Sequence, residues 1–546
     1  MSIADRTPPA APAMGLQSLV ARIDRLLQSR SGCVLLLVLN GIFWTVYSTV
    51  SAGNGLHHDM MEAFAWAQEP AWGYPKHPPF WAWVAYLWFK VFPIQDWSFY
   101  LLAQVNAQIA IVGVWFLTRQ IYGRDNAGAS VLLLLLTPFY TFVSIRYNAN
   151  IIFLSLWPWT AYAFIRALES NRLVWSVAFG LLAAACMLSK YFAALLLASC
   201  FLASLLHPRA RFYYRSASPY ISVAICAVLF VPHIVWLFNN DFLPFKWAAL
   251  RTHDTFAKTL GSVIGFFFGS LAFHVLIVAA LLFVMSADAR WSAGRRLWAA
   301  IAHFQAKWTP VRVKKMRSLN KLDASFRSSG SENAIGDRSQ WPWLVLSFGP
   351  FLLTAVAGVV GHIRLSPAFA SPIFPLLPAL LVLAWQPPLE ATRALAIKIY
   401  LAILAVAAVS APFVPYVSMR FGEPFNAEPR AKLYKAAEKF WNDGNTTPLR
   451  IVGGSWPYDL GMSFHASTHP SFFERLDMHF SPWVDAERIA REGMLVVCRD
   501  IDTACLQSAE RWRTPQTRTM SLGLTRTLWG YTGPEARFTL YAIPPR

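Results

Sequence analysis

The stretch His57–Trp83, HHDMMEAFAWAQEPAWGYPKHPPFWAW, gathers residue types that acid–base and phosphate chemistry need. Asp59 and Glu62 are three apart, so on a helix they share one face with Cβ atoms about 5–6 Å apart. One carboxylate so placed can take the proton of an acceptor hydroxyl; the other can orient that acceptor or share the base role. His58, Lys76 and His77 offer charge-assisted hydrogen bonds to a phosphate oxygen. The histidines and the two acids also present nitrogen and oxygen ligands that suit zinc or manganese. Their spacing matches no standard zinc pattern, and no metal site is assigned. A plainer reading stands beside these. D-x-x-E ahead of an apolar run is close to a capping box, with Asp59 capping a helix that starts at Met60.

Further candidates lie elsewhere. Lys190 in LSKY and Arg146 in RYNAN are phosphate contacts or helix-end cations whose stems snorkel along apolar surface. Arg251, His253 and Asp254 either face the same cavity or are solvated loop charges. Trp66, Trp72, Trp81 and Trp83 read as anchors at a membrane interface, with sugar stacking as the alternative.

The elements that must position these groups are apolar. The chain is 56% hydrophobic and 14% charged, against about 25% charged for a soluble protein. Long apolar runs near 33–52, 98–117, 128–145, 150–165, 173–188, 190–206, 219–238, 260–285, 341–360, 368–385 and 394–416 give eleven candidate spans. The first continues without an A-x-A-type cleavage site and reads as a retained helix. A twelfth run, 78–93, is proline-bounded, aromatic-rich and shorter than the roughly 20 residues a crossing needs, so an interfacial helix is expected there.

Charge orients the chain. With 78–93 not crossing, the arginine-rich loops and the strongly basic segment 286–340 fall on one side, the cytoplasmic side by the positive-inside rule. The expected organisation is a cytoplasmic tail 1–32, a membrane domain 33–416 with an external loop 53–97, and an external domain 417–546. The net charge of +19 then reads as loops against anionic lipid rather than as a nucleic-acid surface.

The C-terminal region is expected to be a small α/β domain. PRAKLYKAAEKFWND and DAERIAREG read as helices, and LRIVGG, MLVVC and RFTLYAI as strands. IVGGSW lacks G-x-G-x-x-G, so no nucleotide site is assigned. Cys498 and Cys505 could pair in an oxidising exterior.

The acid-bearing first loop followed by Lys76-His77-Pro78-Pro79 and an aromatic helix resembles the GT-C membrane glycosyltransferases. More narrowly, it is similar to the dolichyl-phosphate-mannose–protein mannosyltransferase group and its bacterial relatives that modify lipid A and lipopolysaccharide core. RYNANIIFLSLWPWTAYAFIRAL, MLSKYFAALLLAS, PHIVWLFNNDFLPF and IVGGSWPYDLGMSFHASTHPSFF extend the resemblance over most of the chain. It implies a GT-C-like polytopic helical fold. It also implies transfer of a hexosyl or pentosyl group from a polyprenyl-phosphate donor to an envelope glycolipid or protein. The reaction would take place on the periplasmic face of a bacterial inner membrane. The catalytic acid falls on Asp59. The basic residue that contacts the lipid phosphate falls on His77, a departure that leaves Lys76 to take the role. Relatives carry a further Asp after the arginine where this chain has Asn148 and Asn150. No cofactor is required by this expectation, and a divalent cation is compatible with it. The alternative is a lipid or sugar transporter; the spans, nearly free of charge apart from His233, His274 and Lys398, count against it.

Overall fold

The computed structural model describes residues 15–249, 255–285 and 341–546. Arg251, His253, Asp254, the basic segment 286–340 and the tail before Gly15 lie outside the described residues.

Among the described residues, six helices are long and apolar enough to cross a membrane: Arg30–Ala52, Asp96–Tyr122, Ser218–Asn239, Phe256–Val284, Pro342–Val360 and Leu389–Ser410. Their outward faces are greasy. On Arg30–Ala52, Leu35, Val38, Leu39, Ile42, Val46 and Val50 are exposed at helical spacing, whereas Gly41, Trp44 and Ser48 are buried against neighbours. An apolar stripe turned away from the protein is what lipid contact requires.

Six of the eleven expected runs carry these helices. The remaining runs carry shorter helices, among them Leu173–Met187, Ala194–Leu206 and Leu377–Trp385. The run 128–145 shows why. Its helix, Arg124–Leu134, stops short, and Pro138 opens a single turn of 3₁₀ helix instead. Proline has no N–H to continue the ladder. The chain stays irregular until helix Phe153–Ser170. Irregular backbone at this depth is tolerated where protein encloses it, and Thr141, Ser144 and Tyr147 are all buried. The 78–93 run forms a ten-residue helix, Phe80–Phe89, about 15 Å long.

The C-terminal domain is three-layered. A five-stranded sheet has the order β2-β1-β3-β7-β4, formed by Ser471–Phe473 (β2), Ile451–Gly454 (β1), Met494–Arg499 (β3), Ala536–Ile543 (β7) and Arg518–Leu524 (β4); Thr527–Leu528 (β5) and Tyr531–Thr532 (β6) form a separate ribbon. β1 is parallel to β2 and β3, and β7 is antiparallel to β3 and β4. Alternate residues sort to the two faces. Val452, Leu495, Val497, Phe538 and Leu540 pack under helix Arg430–Asn442. Ile451, Val496, Cys498 and Tyr541 pack under helices Ala486–Glu492 and Thr503–Glu510. Cys498 and Cys505 form a disulfide that ties β3 to Thr503–Glu510. The expected α/β domain is present, and β2, β4 and Thr503–Glu510 are additions to it.

The two parts share a core. Helix His58–Ala67 buries every residue from Met60 to Ala67. Its Phe64 meets Phe89 of the membrane domain, which packs in turn on Phe99, and Phe464 of the C-terminal domain packs on Phe64 at 4.9 Å. A helix apolar around its whole circumference needs such enclosure. The first loop and the C-terminal domain therefore lie on one face of the membrane domain.

Candidate active site

Helix His58–Ala67 starts two residues earlier than the capping-box reading requires. Its N-cap is His57, whose Nδ1 accepts from the Asp59 backbone N–H at 3.3 Å. Asp59 is therefore not the cap, and its carboxylate is turned to other partners. Asp59 Oδ2 accepts from Asn148 Nδ2 at 3.0 Å, and Oδ1 lies 3.3 Å from His58 Nε2. The irregular segment before Phe153 is what brings Asn148 there. Asn148 Oδ1 accepts from the backbone of Asn150 and Ile151 at 2.8 and 3.0 Å. That side-chain-to-backbone turn fixes the amide.

Asn150 continues the chain of contacts. Its Oδ1 accepts from Lys190 Nζ at 2.8 Å. Lys190 sits where helix Leu173–Met187 ends, with its amine 4.8 Å from the Phe369 ring. Burial pulls its pKa down to about 8, and the charge of Asp59 works against that shift. Asp59, Asn148, Asn150 and Lys190 are thus one connected polar group. Arg146, two residues before Asn148, is exposed, and its charge reaches both histidines. Burial lowers His57 to about 4 and lowers His58 as well, in both cases against the pull of Asp59.

Glu62 and Lys76 face elsewhere. Lys76 forms an ion pair with Glu62 and lies 3.3 Å from Glu474, just past the end of β2. The three side chains are at most 13% exposed. Burial opposes the charge on Lys76, but the two carboxylates hold its pKa above the ordinary value. Burial pushes Glu62 up to about 7, with Lys76 pulling it down and Glu474 pushing it up. Asp459, wholly buried nearby, is raised well above its ordinary value, mainly by burial. A lysine balanced by two acids brings no net positive charge to an incoming phosphate. His77 packs among indoles, its ring 6.4, 6.1 and 6.3 Å from those of Trp66, Trp81 and Trp247.

Trp66 and Trp81 are essentially unexposed, so they are core residues rather than interface anchors or sugar platforms. Trp72 is exposed and meets Trp83 edge-on at 5.1 Å.

One ligand atom each from His57, His58 and Asp59 lie within 4.8 Å of one another, a nitrogen–oxygen set that could hold a divalent cation. The C-terminal domain closes over this end of the loop. Trp456 meets the His58 ring at 4.7 Å, and Arg488 bridges to Glu69 at 2.9 Å. Sequence reasoning missed Asn148 and Asn150 as partners, and also Glu474 and Trp456. Two asparagines at spacing two inside an apolar run were the available signal for the first pair; the second pair had none.

A search of curated proteins finds no match. Residues 76–236 match the family model described as dolichyl-phosphate-mannose-protein mannosyltransferase. That region holds Lys76, Asn148, Asn150 and Lys190, while Asp59 precedes it. Among solved structures, ArnT from Cupriavidus metallidurans bound to undecaprenyl phosphate aligns with TM-score 0.55 at 13% identity, over 94% of this chain and 98% of that one. The apo form of the same protein aligns with TM-score 0.46 at 15% identity, over the same shares. The oligosaccharyltransferase AglB from Archaeoglobus fulgidus aligns with TM-score 0.34 at 12% identity, over 92% of this chain and 74% of that one. In its fold, and in the family model matched across residues 76–236, this chain fits the GT-C superfamily.

Proposed function

We propose that this protein is a glycosyltransferase that moves a sugar from a polyprenyl-phosphate donor to an envelope acceptor at the face carrying the first loop and the C-terminal domain. That face is the periplasmic face of a bacterial inner membrane. The acceptor is a glycolipid such as lipid A or lipopolysaccharide core, or a protein, and the sugar is a hexose or a pentose. The observation that carries the reading is the Asp59 carboxylate. It is partly open to solvent, held by Asn148, and connected through Asn150 to the cation of Lys190.

In the step, the acceptor oxygen attacks the anomeric carbon and its proton passes to Asp59. The bond from that carbon to the phosphate oxygen breaks, and its electron pair leaves on the polyprenyl phosphate. Lys190 and Arg146 are the cations assigned to that growing negative charge. His58 orients the Asp59 carboxylate through its ring nitrogen. Glu62, Lys76 and His77 act from behind, fixing the loop. The donor class is supported by the family description at 76–236 and by the undecaprenyl phosphate bound to ArnT. A divalent cation on His57, His58 and Asp59 would add charge stabilisation for the leaving phosphate.

The test is Asp59→Asn. The amide keeps an acceptor for Asn148 but cannot take a proton, and loss of a general base typically costs about 10²–10⁴ in rate. Mass spectrometry of envelope lipids from cells carrying only Asp59→Asn should show the modification gone, with the protein still inserted. Full modification would remove Asp59 from the chemistry.

A further inference from the structure

The C-terminal sheet turns its carboxyl edge toward the candidate active site. β1 lies between β2 and β3 and runs parallel to both. The chain leaves β1 to one side for β2, then crosses back to β3 on the other. The carboxyl end of β1 is therefore a topological switch point, the place where open α/β sheets bind ligands.

The turn standing there is Ser455-Trp456-Pro457, and it is held firmly. The Ser455 N–H donates to the Val497 carbonyl at 2.8 Å. The Ser455 hydroxyl donates to Asp502 at 2.7 Å and accepts from the Arg499 backbone at 2.9 Å. Gly454, at φ +145°, brings β1 so close to β3 that a Cβ would run into the Val497 backbone.

What this frame holds out is an indole. Trp456 is 51% exposed, whereas Trp44, Trp66, Trp81 and Trp441 are at most 1% exposed. Its ring meets the edge of His58 at 61°, and His58 Nε2 is 3.3 Å from the Asp59 carboxylate. A fixed, half-covered aromatic face beside a proton acceptor is complementary to a pyranose. The ring C–H face is apolar and carries partial positive charge, which suits the negative face of a π system. The rim hydroxyls reach the polar groups around it.

We propose that Trp456 is an acceptor-sugar subsite: its indole stacks on a pyranose ring of the acceptor and presents a hydroxyl of that ring to Asp59. The chemistry rests on the glycosyl-transfer reading; the binding stands on the switch point and the indole alone. The assignment is to acceptor rather than donor because the donor phosphate is placed at Lys190, on the membrane-domain side of Asp59, and Trp456 approaches from the C-terminal domain.

The test uses the full chain in lipid nanodiscs, free of sugar detergent. Saturation-transfer NMR is recorded with methyl glucoside, methyl galactoside and methyl mannoside as probes and glycerol as control. Ring-proton transfer is expected from at least one pyranoside, with wild type and with Asp59→Asn alike. It should be lost in Trp456→Ala and kept in Trp456→Phe, which retains an aromatic face. In transfer assays with an envelope-lipid acceptor, Trp456→Ala should raise the acceptor KM about tenfold and leave donor KM unchanged. No pyranoside signal with wild type, or an equal signal with Trp456→Ala, overturns the subsite. A raised donor KM with an unchanged acceptor KM reassigns the indole to the donor sugar and overturns it as stated. Failure of the glycosyl-transfer reading is separate: pyranoside binding through Trp456 would persist while Asp59→Asn left envelope lipids unaltered.

Discussion

Replacing Lys76 with methionine removes the one cation between Glu62 and Glu474 and leaves two enclosed carboxylates facing each other. Breaking a buried pair by deleting one partner costs about 3–5 kcal/mol, most of it the charge left behind. Here the cost falls on one seam, because Glu62 belongs to the first loop and Glu474 to the C-terminal domain. A loss of about 3 kcal/mol changes the opening equilibrium of that seam by roughly a hundredfold. Hydrogen exchange across residues 58–77 and 455–476 reads that opening directly. The direction can be checked by restoring neutrality. Lys76→Met combined with Glu62→Gln and Glu474→Gln should recover most of the protection, since a buried ionic group replaced as a whole by neutral groups is often close to neutral in stability. Turnover should fall in the single variant and recover in the triple one, with donor KM changing little in either. The competing idea is that Lys76 grips the donor phosphate. It predicts undiminished protection and a donor KM raised about 10–150-fold, the worth of one charge-assisted hydrogen bond. That result would refute the role of Lys76 in joining the seam and return it to the phosphate.

Lys190→Met should raise donor KM by that same order, about 10–150-fold, and in the wild type kcat/KM should fall as pH rises through about 8, where the Lys190 amine loses its charge; a flat profile from pH 7 to 9 removes Lys190 from phosphate binding. Glu62, raised from 4.5 to about 7, holds a proton in the folded chain where the unfolded chain has lost it. Its contribution is full below pH 4.5 and lost as pH rises through 7, an effect of up to about 3 kcal/mol. Exchange protection of the first loop should therefore weaken from pH 5 to 8 more steeply in wild type than in Glu62→Gln, and equal slopes would count against a shifted Glu62. Transfer should survive chelation by EDTA, because both Asp59 oxygens already have side-chain partners in Asn148 and His58; loss of activity restored by manganese would instead assign the His57–His58–Asp59 cluster to a cation.

The helices and the C-terminal α/β unit were legible because their signals are local. Apolar runs name the spans, and short apolar runs bounded by turn residues name β1, β3 and β7. The polar loop at 57–77 was legible because it interrupts that pattern. The cap was misplaced because a histidine ring nitrogen can accept the same backbone N–H that Asp59 would have taken. The run 128–145 reads as one continuous apolar stretch because hydropathy does not register that Pro138 halts the ladder and leaves an enclosed irregular segment. The Lys76–Glu474 contact joins residues almost 400 positions apart, and no spacing rule reaches that far. Trp66 and Trp81 were misread for a related reason: an aromatic-rich stretch looks interfacial until a second domain is seen to cover it.

The enclosure of helix His58–Ala67 sets an order in time. The chain is made from its N-terminus, yet the partners that complete this helix's surroundings come late; the Ser471 hydroxyl that meets Glu69 lies 402 residues further on. At about 5–20 residues per second of synthesis, the loop bearing Asp59 waits roughly 20–80 s before its cover exists. During that interval Met60, Met61, Phe64 and Trp66 have no protein surface to bury against on one side, and the nearest apolar refuge is the membrane beside them. Only when the last quarter of the polypeptide has been delivered can the helix lift into place. Truncation ahead of Phe464 would therefore yield an inserted protein whose earliest-made loop was never finished.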